Sequence, residues 1–206
     1  MKGFFITGTD TDVGKSVTAA AITLALEGCY WKPIQSGEPD LEKVKSLLPF
    51  SDDHYMPAVY SWKAAISPDQ AAAIENQSMN FDVFKLPTTE KTLIVEGAGG
   101  IFTPINKTSS MLDLMKKLGL PIIITARGTL GTINHTLMTI EVLRQKKLNI
   151  QGIIFSGDLN PDNQIAIEER SGIKTLMHIP YFKEMTSETL QQWVNKNKIS
   201  IKAALS

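Results

Sequence analysis

The chain has 206 residues, 43% of them hydrophobic and 20% charged, and its Lys plus Arg equal its Asp plus Glu at 21 each. That is enough for one α/β domain with a sizeable core spanning residues 1–206, and the even charge balance gives no footing to a nucleic-acid or polybasic membrane partner. A single cysteine, Cys29, excludes an internal disulfide framework; with no run near the ~20 apolar residues of a bilayer span and no signal-peptide pattern at the N-terminus, a cytoplasmic globular protein is expected.

In chain order, "GFFIT" (3–7) reads as a strand and "KSVTAAAITLALE" (15–27) as a helix stopped by Gly28. "CYWKP" (29–33) is a weaker strand, and the region 37–90 is the least regular, with a helix predicted at 68–76. "LIVEG" (93–97), "PIIIT" (121–125) and "GIIFS" (152–156) are further strands, and 174–180 is a last one. Helices are predicted at 109–118, 131–147, 161–171 and 186–197. Continuous apolar runs suit strands buried on both faces. Their alternation with helices predicts a doubly wound α/β fold, a mostly parallel sheet with helices on both faces, whose ligands bind beyond the carboxyl ends of the strands.

The stretch "ITGTDTDVGKSVT" (6–18) departs from the usual G-x-x-x-x-G-K-[ST] loop: five residues separate Gly8 from Gly14, and Thr9 holds the first glycine slot. Its context is still that of a phosphate loop, a strand running into a Gly/Thr-rich turn and then an Ala-rich helix. Backbone N–H groups of such a turn, backed by a helix N-terminus, attract an anion. Gly14 leaves room for phosphate, Lys15 reaches the outer phosphates, and the Ser16 hydroxyl suits Mg²⁺. A plain strand-to-helix turn with an exposed lysine is the alternative.

Three further clusters fit phosphoryl transfer. "KPIQSG" (32–37) places Lys32 at a strand end, able to neutralise a γ-phosphate or an anionic acceptor. "SDDHYM" (51–56) offers Asp52 and Asp53, and "VEGAGG" (95–100) ends an apolar strand on Glu96, which is costly to bury without a metal ion or lysine beside it. Ser16, one of the two aspartates and Glu96 would make an oxygen set for Mg²⁺.

"GTDTDVGKS", "KPIQSG", "SDD", "VEGAGGIFTPI", "MLDL", "LGTINH" and "IPY" occur in the order expected of dethiobiotin synthetases, and the chain resembles that family from residue 3 to about 182. The longer loop and V-E-G-A-G-G are the most specific pieces, and a Thr in the first glycine slot is the family's own form. The resemblance implies a P-loop NTPase-like ligase of biotin biosynthesis. It would join CO₂ to 7,8-diaminononanoate through a carbamate and a carbamic-phosphoric anhydride, with ATP as co-substrate, Mg²⁺ as cofactor and a homodimer as assembly.

Residue by residue, the resemblance puts Lys15 on the β- and γ-phosphates, Lys32 near the γ-phosphate and carbamate, and Thr11 facing the chemistry. Asp12, Val13, Gly14, Ser16 and Val17 complete the nucleotide loop. Ser16, Asp52 and Glu96 match metal-binding positions, with Asp52 preferred to Asp53. Ser36 falls on a diamine-contacting position, and Gly97, Ala98 and Gly99 line the pocket shared with the nucleotide. Gly131, Thr132 and Ile133 open a helix whose free N–H groups would take the substrate's distal carboxylate, completed by a second subunit. Relatives often carry Asn-Asp on the adenine side, where this chain has Ser156-Gly157. A serine lacks the paired contacts of an amide, so adenine recognition would fall to backbone near Pro180, Tyr181 and Phe182, with reduced discrimination among nucleoside triphosphates.

Rival readings are a ParA/MinD-like switch ATPase, whose loop normally has a lysine near its start, and a cobyrinate-type synthetase, which needs a further amidotransferase domain. "GTDTDVGKS" lacks that lysine, and the chain is too short for that domain.

Overall fold

Apolar runs without polar alternation become strands covered on both faces. A computed structural model describes residues 2–206. The first half contains β1 (Gly3–Gly8), α1 (Lys15–Leu26), β2 (Cys29–Trp31), β3 (Ile34–Ser36), α2 (Asp40–Leu47), β4 (Tyr55–Met56), β5 (Tyr60–Trp62) and α3 (Pro68–Ile74). The second half follows with β6 (Leu93–Gly100), α4 (Met111–Leu118), β7 (Ile122–Gly128), α5 (Thr132–Gln145), β8 (Ile150–Leu159), α6 (Pro161–Ser171), β9 (Thr175–Ile179) and α7 (Ser187–Ala204). Seven strands form one sheet in the order β4-β2-β6-β1-β7-β8-β9, paired in parallel throughout, and β3 pairs with β5 in a small second sheet.

Successive side chains of a strand point to opposite faces, and the two cores follow that rule. Phe5, Trp31, Val95, Ile122 and Ile124 belong to one core, which also takes in α4. Phe4, Ile6, Tyr30, Ile94 and Ile123 belong to the other, beneath α1 and α7. The alanines of α1 let that helix lie close against the sheet, since Ala19, Ala20, Ala21 and Ala25 are fully buried.

The predicted strands and helices are all present, some with shifted ends; α7 runs on to Ala204. The region expected to be irregular holds more order than its composition announces, namely α2 and the β3–β5 pair. These matter because α2 begins just after the small sheet, at the carboxyl edge of the main one. Among the described residues, no helix is long and apolar enough to cross a membrane.

Candidate active site

Lys32 follows β2 at the carboxyl edge, two residues beyond Tyr30, and so shares its face. Glu96 stands in the same relation to Ile94 on β6, and Tyr30 pairs with Ile94 in register. Lys32 and Glu96 are therefore brought to the α1 face, at the edge where the loop after β1 enters α1. Their side chains meet there: Lys32 Nζ donates to Glu96 Oε1 at 2.9 Å. Glu96 is 1% exposed and Lys32 8%.

Ser16, in the first turn of α1, donates its Oγ to the same Glu96 Oε1 at 2.8 Å and to Asp40 Oδ1 at 3.2 Å. Lys32 Nζ also contacts Asp40 Oδ2 at 2.5 Å. Desolvation works against the Lys32 ammonium, but the charges and hydrogen bonds of Glu96 and Asp40 outweigh it, so its pKa lies above the ordinary lysine value. Burial pushes the Asp40 carboxyl up, and Lys32 first, with Gln35 and Ser16, more than reverses this, leaving it below the usual aspartate range. The Lys32 cation stays charged here.

Lys15 is buried on the other side of the same space. Its Nζ donates to the Asp10 carbonyl at 2.9 Å, which closes the loop over it. Burial lowers its pKa; Glu96, Asp12 and Asp40 oppose this, and Lys32 adds to it. Gly8 is required beneath, because a Cβ there would come within 2.8 Å of Val13 and 3.0 Å of Lys15 Nζ. Gly14 caps α1 with φ +92, and a Cβ on it would fall 2.2 Å from Ser156 Oγ. The end of β8 thus packs directly on the loop.

These groups line a cleft of about 900 Å³, along with Thr11, Asp12, Val17, Ser36, Ala98 and Gly99. Val13 is 2% exposed behind the loop, and Gly97 packs tightly on the Phe5 ring. Ser36 lines the cleft, and its Oγ is buried without a hydrogen-bond partner among the described residues.

Asp52 is not brought to this cleft, which corrects its expected place among the metal ligands. Its carboxylate is 92% exposed and pairs with Lys45 at 2.8 Å. The reason is topological. Asp52 lies just before β4, which runs parallel to β2, so it stands at the amino edge of the sheet, opposite the ligand edge. The contacts of its neighbours agree: Asp53 binds Lys91, just before β6, at 2.7 Å, and His54 Nδ1 lies 2.6 Å from the Gly28 carbonyl, just before β2. Asp40 stands at the cleft instead. Its signal in the sequence was a Pro-Asp step opening a helix immediately after the Lys32 strand region.

Other expected contacts lie away from the cleft. Tyr181 is 74% exposed, following Pro180 at the end of β9, and Phe182 packs edge-on to Trp193. Gly131 caps α5 with φ +91, Thr132 is buried and bonded to Thr136, and Ile133 packs on the core. A separate hollow of about 410 Å³, lined by Thr129, Leu130 and Asn160 among others, lies beside Gly131.

Residue types alone did not flag two other groups. Tyr30, fully buried, donates its hydroxyl to Glu96 Oε2 at 2.8 Å. Burial, followed by the Glu96 charge, holds its phenol well above the usual tyrosine value, so it remains a donor. Gln35 accepts from the Asp40 N–H at 3.0 Å and donates to the Glu38 carbonyl at 2.6 Å. It does for α2 what a capping side chain would, since Pro39 offers none.

Among the described residues no three His, Cys, Asp or Glu side chains gather as a metal cage. The donor set here is two carboxylates and a hydroxyl, which suits Mg²⁺ when substrate phosphate and water complete the shell. An ammonium already lies between the two carboxylates, so the place favours a cation.

A family model described as an AAA domain matches residues 2–189. The ATP-dependent dethiobiotin synthetase BioD of Paramagnetospirillum magneticum is 42% identical over 193 residues, covering 92% of this chain and 93% of that one. The chain belongs to the dethiobiotin synthetase family. The synthetase of Christiangramia forsetii is 40% identical, covering 89% of this chain and 91% of that one. Among solved structures, the Pyrococcus furiosus cell division ATPase MinD has a TM-score of 0.59 at 15% identity, covering 98% and 99%. That likeness is one of fold; identity of 42% over 92% of the chain, against 15% with MinD, separates the two.

Proposed function

We propose that this chain, an ATP-dependent ligase by its family, closes the ureido ring of dethiobiotin from 7,8-diaminononanoate, CO₂ and ATP. One amine of the substrate adds to CO₂ and loses a proton, giving a carbamate. A carbamate oxygen attacks the γ-phosphorus of ATP, and ADP leaves. The second amine then attacks the carbonyl carbon of the mixed anhydride; inorganic phosphate departs and the nitrogen gives up its proton.

The difficulty in this sequence is bringing two anions together, and the remedy is fixed positive charge that needs no reorganisation. Lys15 holds the outer phosphates from the loop side. Lys32, charged and anchored between Asp40 and Glu96, approaches the γ-phosphate and carbamate from the strand side. Thr11 faces the same space. Ser16, Asp40 and Glu96 would hold Mg²⁺, which when bound neutralises charge on the nucleotide phosphates. Ser36 would contact the diamine, Ala98 and Gly99 border the same space, and the open start of α5 at Gly131 would receive its distal carboxylate with help from a second protomer. The nucleotide base extends past Ser156 toward Pro180, Tyr181 and Phe182.

The observation that carries this reading is the Lys32 ammonium bound by two acidic side chains beside the phosphate loop. Purified protein supplied with diaminononanoate, bicarbonate and MgATP alone should form the cyclic urea. Lys15→Ala and Lys32→Ala should each abolish it. ATP hydrolysis that answers to DNA or lipid, with no cyclic product, would refute the reading.

A further inference from the structure

The two oxygens of Glu96 live in different surroundings. Oε1 faces the cleft and accepts from Ser16 and Lys32. Oε2 points into the core, and its partner among the described residues is the Tyr30 hydroxyl. From this asymmetry we infer that Tyr30 is a positioning residue, whose hydroxyl fixes Glu96 so that one carboxylate oxygen alone is presented to a divalent cation. The inference rests on the proposed role of Glu96 as a metal ligand.

The geometry follows from the sheet. Tyr30 is level with Ile94 on the parallel neighbour, and Glu96 lies two residues further on the same face, about 7 Å along the strand. A tyrosine leaning along its strand covers that distance, and a phenylalanine would fill the same core space without bonding. Packing therefore does not require the hydroxyl: the ring already lies among Phe4, Ile6 and Ile94. A carboxylate with one oxygen buried and unpaired is costly. Without the hydroxyl, the inner oxygen loses its partner and the Glu96 carboxylate is free to turn, which spoils its fixed approach to a cation. Lys32 would still be held by Asp40, so its charge stays in place.

The test is Tyr30→Phe in the full chain, with Mn²⁺ as the probe, read as free Mn²⁺ by electron paramagnetic resonance in the presence of a non-hydrolysable ATP analogue. Outer-shell partners of metal ligands are worth about 10- to 100-fold in affinity, so Mn²⁺ binding should weaken by about tenfold, and the Mg²⁺ concentration for half-maximal turnover should rise in parallel. Turnover at saturating Mg²⁺ should recover most of the wild-type rate, and in a Glu96→Gln background Tyr30→Phe should add little. Mn²⁺ affinity within twofold of wild type would overturn the inference, as would an equal loss in the Glu96→Gln background, which would mean general loosening of the core. If Glu96→Gln alone leaves Mn²⁺ binding unchanged, the metal role of Glu96 falls, and this inference with it. A loss with Glu96→Gln but none with Tyr30→Phe removes the inference and leaves the site intact.

Discussion

Replacing Asp40 by asparagine removes one charge from the centre while keeping the shape of the side chain and its capping N–H. The carboxylate accepts from Lys32 and Ser16, and its side chain is 19% exposed. After the change Lys32 keeps Glu96, so the buried ammonium is not orphaned, and folding should suffer little. The catalytic loss is larger, because both a metal donor and a Lys32 anchor are weakened together. Removing one fixed electrostatic group at a phosphoryl-transfer site costs about 10²–10³ in rate, and a hundredfold fall in kcat/KM is about 2.7 kcal/mol of transition-state stabilisation. The paired control is Asp52→Asn. Its carboxylate is solvated at the opposite edge of the sheet, and exposed ion pairs contribute little, so activity should stay within about twofold of wild type. The assay is steady-state formation of the cyclic urea at varied Mg²⁺, with melting followed on the same samples. Loss of activity in Asp52→Asn together with full activity in Asp40→Asn would refute the placement of the site at the start of α2.

Gly14→Ala should abolish ATP binding and lower the melting temperature, because a left-handed φ costs a non-glycine residue about 1–2 kcal/mol and the new methyl meets Ser156; adding Ser156→Gly should relieve the clash but not the backbone cost, so rescue measured by nucleotide titration should be partial. Gln35→Ala removes the partner of the Asp40 N–H and the Glu38 carbonyl; because Glu38 is exposed and Asp40 only half-buried, water takes up part of the loss, and the change should cost about 1 kcal/mol and lower the melting temperature by about 2–4 °C, with turnover falling as well. A small acid-sensitive increment of stability should come from Asp53, whose side chain is 61% exposed and whose carboxyl is lowered from 3.8 to about 2, first by its bond from Lys91 and then by one from Ser51. A depressed folded pKa stabilises fully above the unfolded value and ceases to do so as pH falls through the folded one, so the stability difference between wild type and Asp53→Asn should be constant above pH 4 and vanish toward pH 2, as read by denaturant titration. GTP and CTP should support ring closure within about tenfold of ATP, since Ser156 cannot make an amide's paired contacts; a strong ATP preference in competition assays would contradict this.

What could be read from the sequence and what could not divide along a physical line. Strand positions follow from local composition, because a double-faced strand must be apolar along its buried length, as "FFI", "LIV" and "III" are. Lys15, Lys32 and Glu96 were legible for a related reason: each is a charged residue at the end of an apolar strand or at the start of a helix, where a doubly wound fold gathers its ligands. Asp40 was not recognised, although its Pro-Asp step also opens α3 at Pro68-Asp69 and α6 at Pro161-Asp162. The sequence marks those two helices but not α2, because its short, charged "DLEKVKSL" has few apolar residues to mark a period. Asp52 drew attention by its doubled carboxylates, yet which edge of a sheet a loop joins depends on whether the next strand is parallel. That is a property of the whole topology and is not carried by the residues of the loop.

The same distinction explains why Tyr30 and Gln35 escape a reading based on residue types. Neither faces a ligand, and each looks like filler in an apolar or turn segment. Their importance comes from satisfying polar atoms of residues that do face the ligand: the inner oxygen of Glu96 in one case, the first free N–H of α2 in the other. A site that must hold two carboxylates beside two ammonium groups in a buried place needs every remaining polar atom paired, and those partners come from whichever neighbouring strand or turn is in reach. Cross-strand register brings Tyr30 to Glu96, and the turn after β3 brings Gln35 to Asp40. Changes at residues 30 and 35 are therefore expected to alter how this centre holds its charges without altering which charges it has. The ligands themselves are named by the chemistry, but the geometry that makes them ligands is set one layer further out.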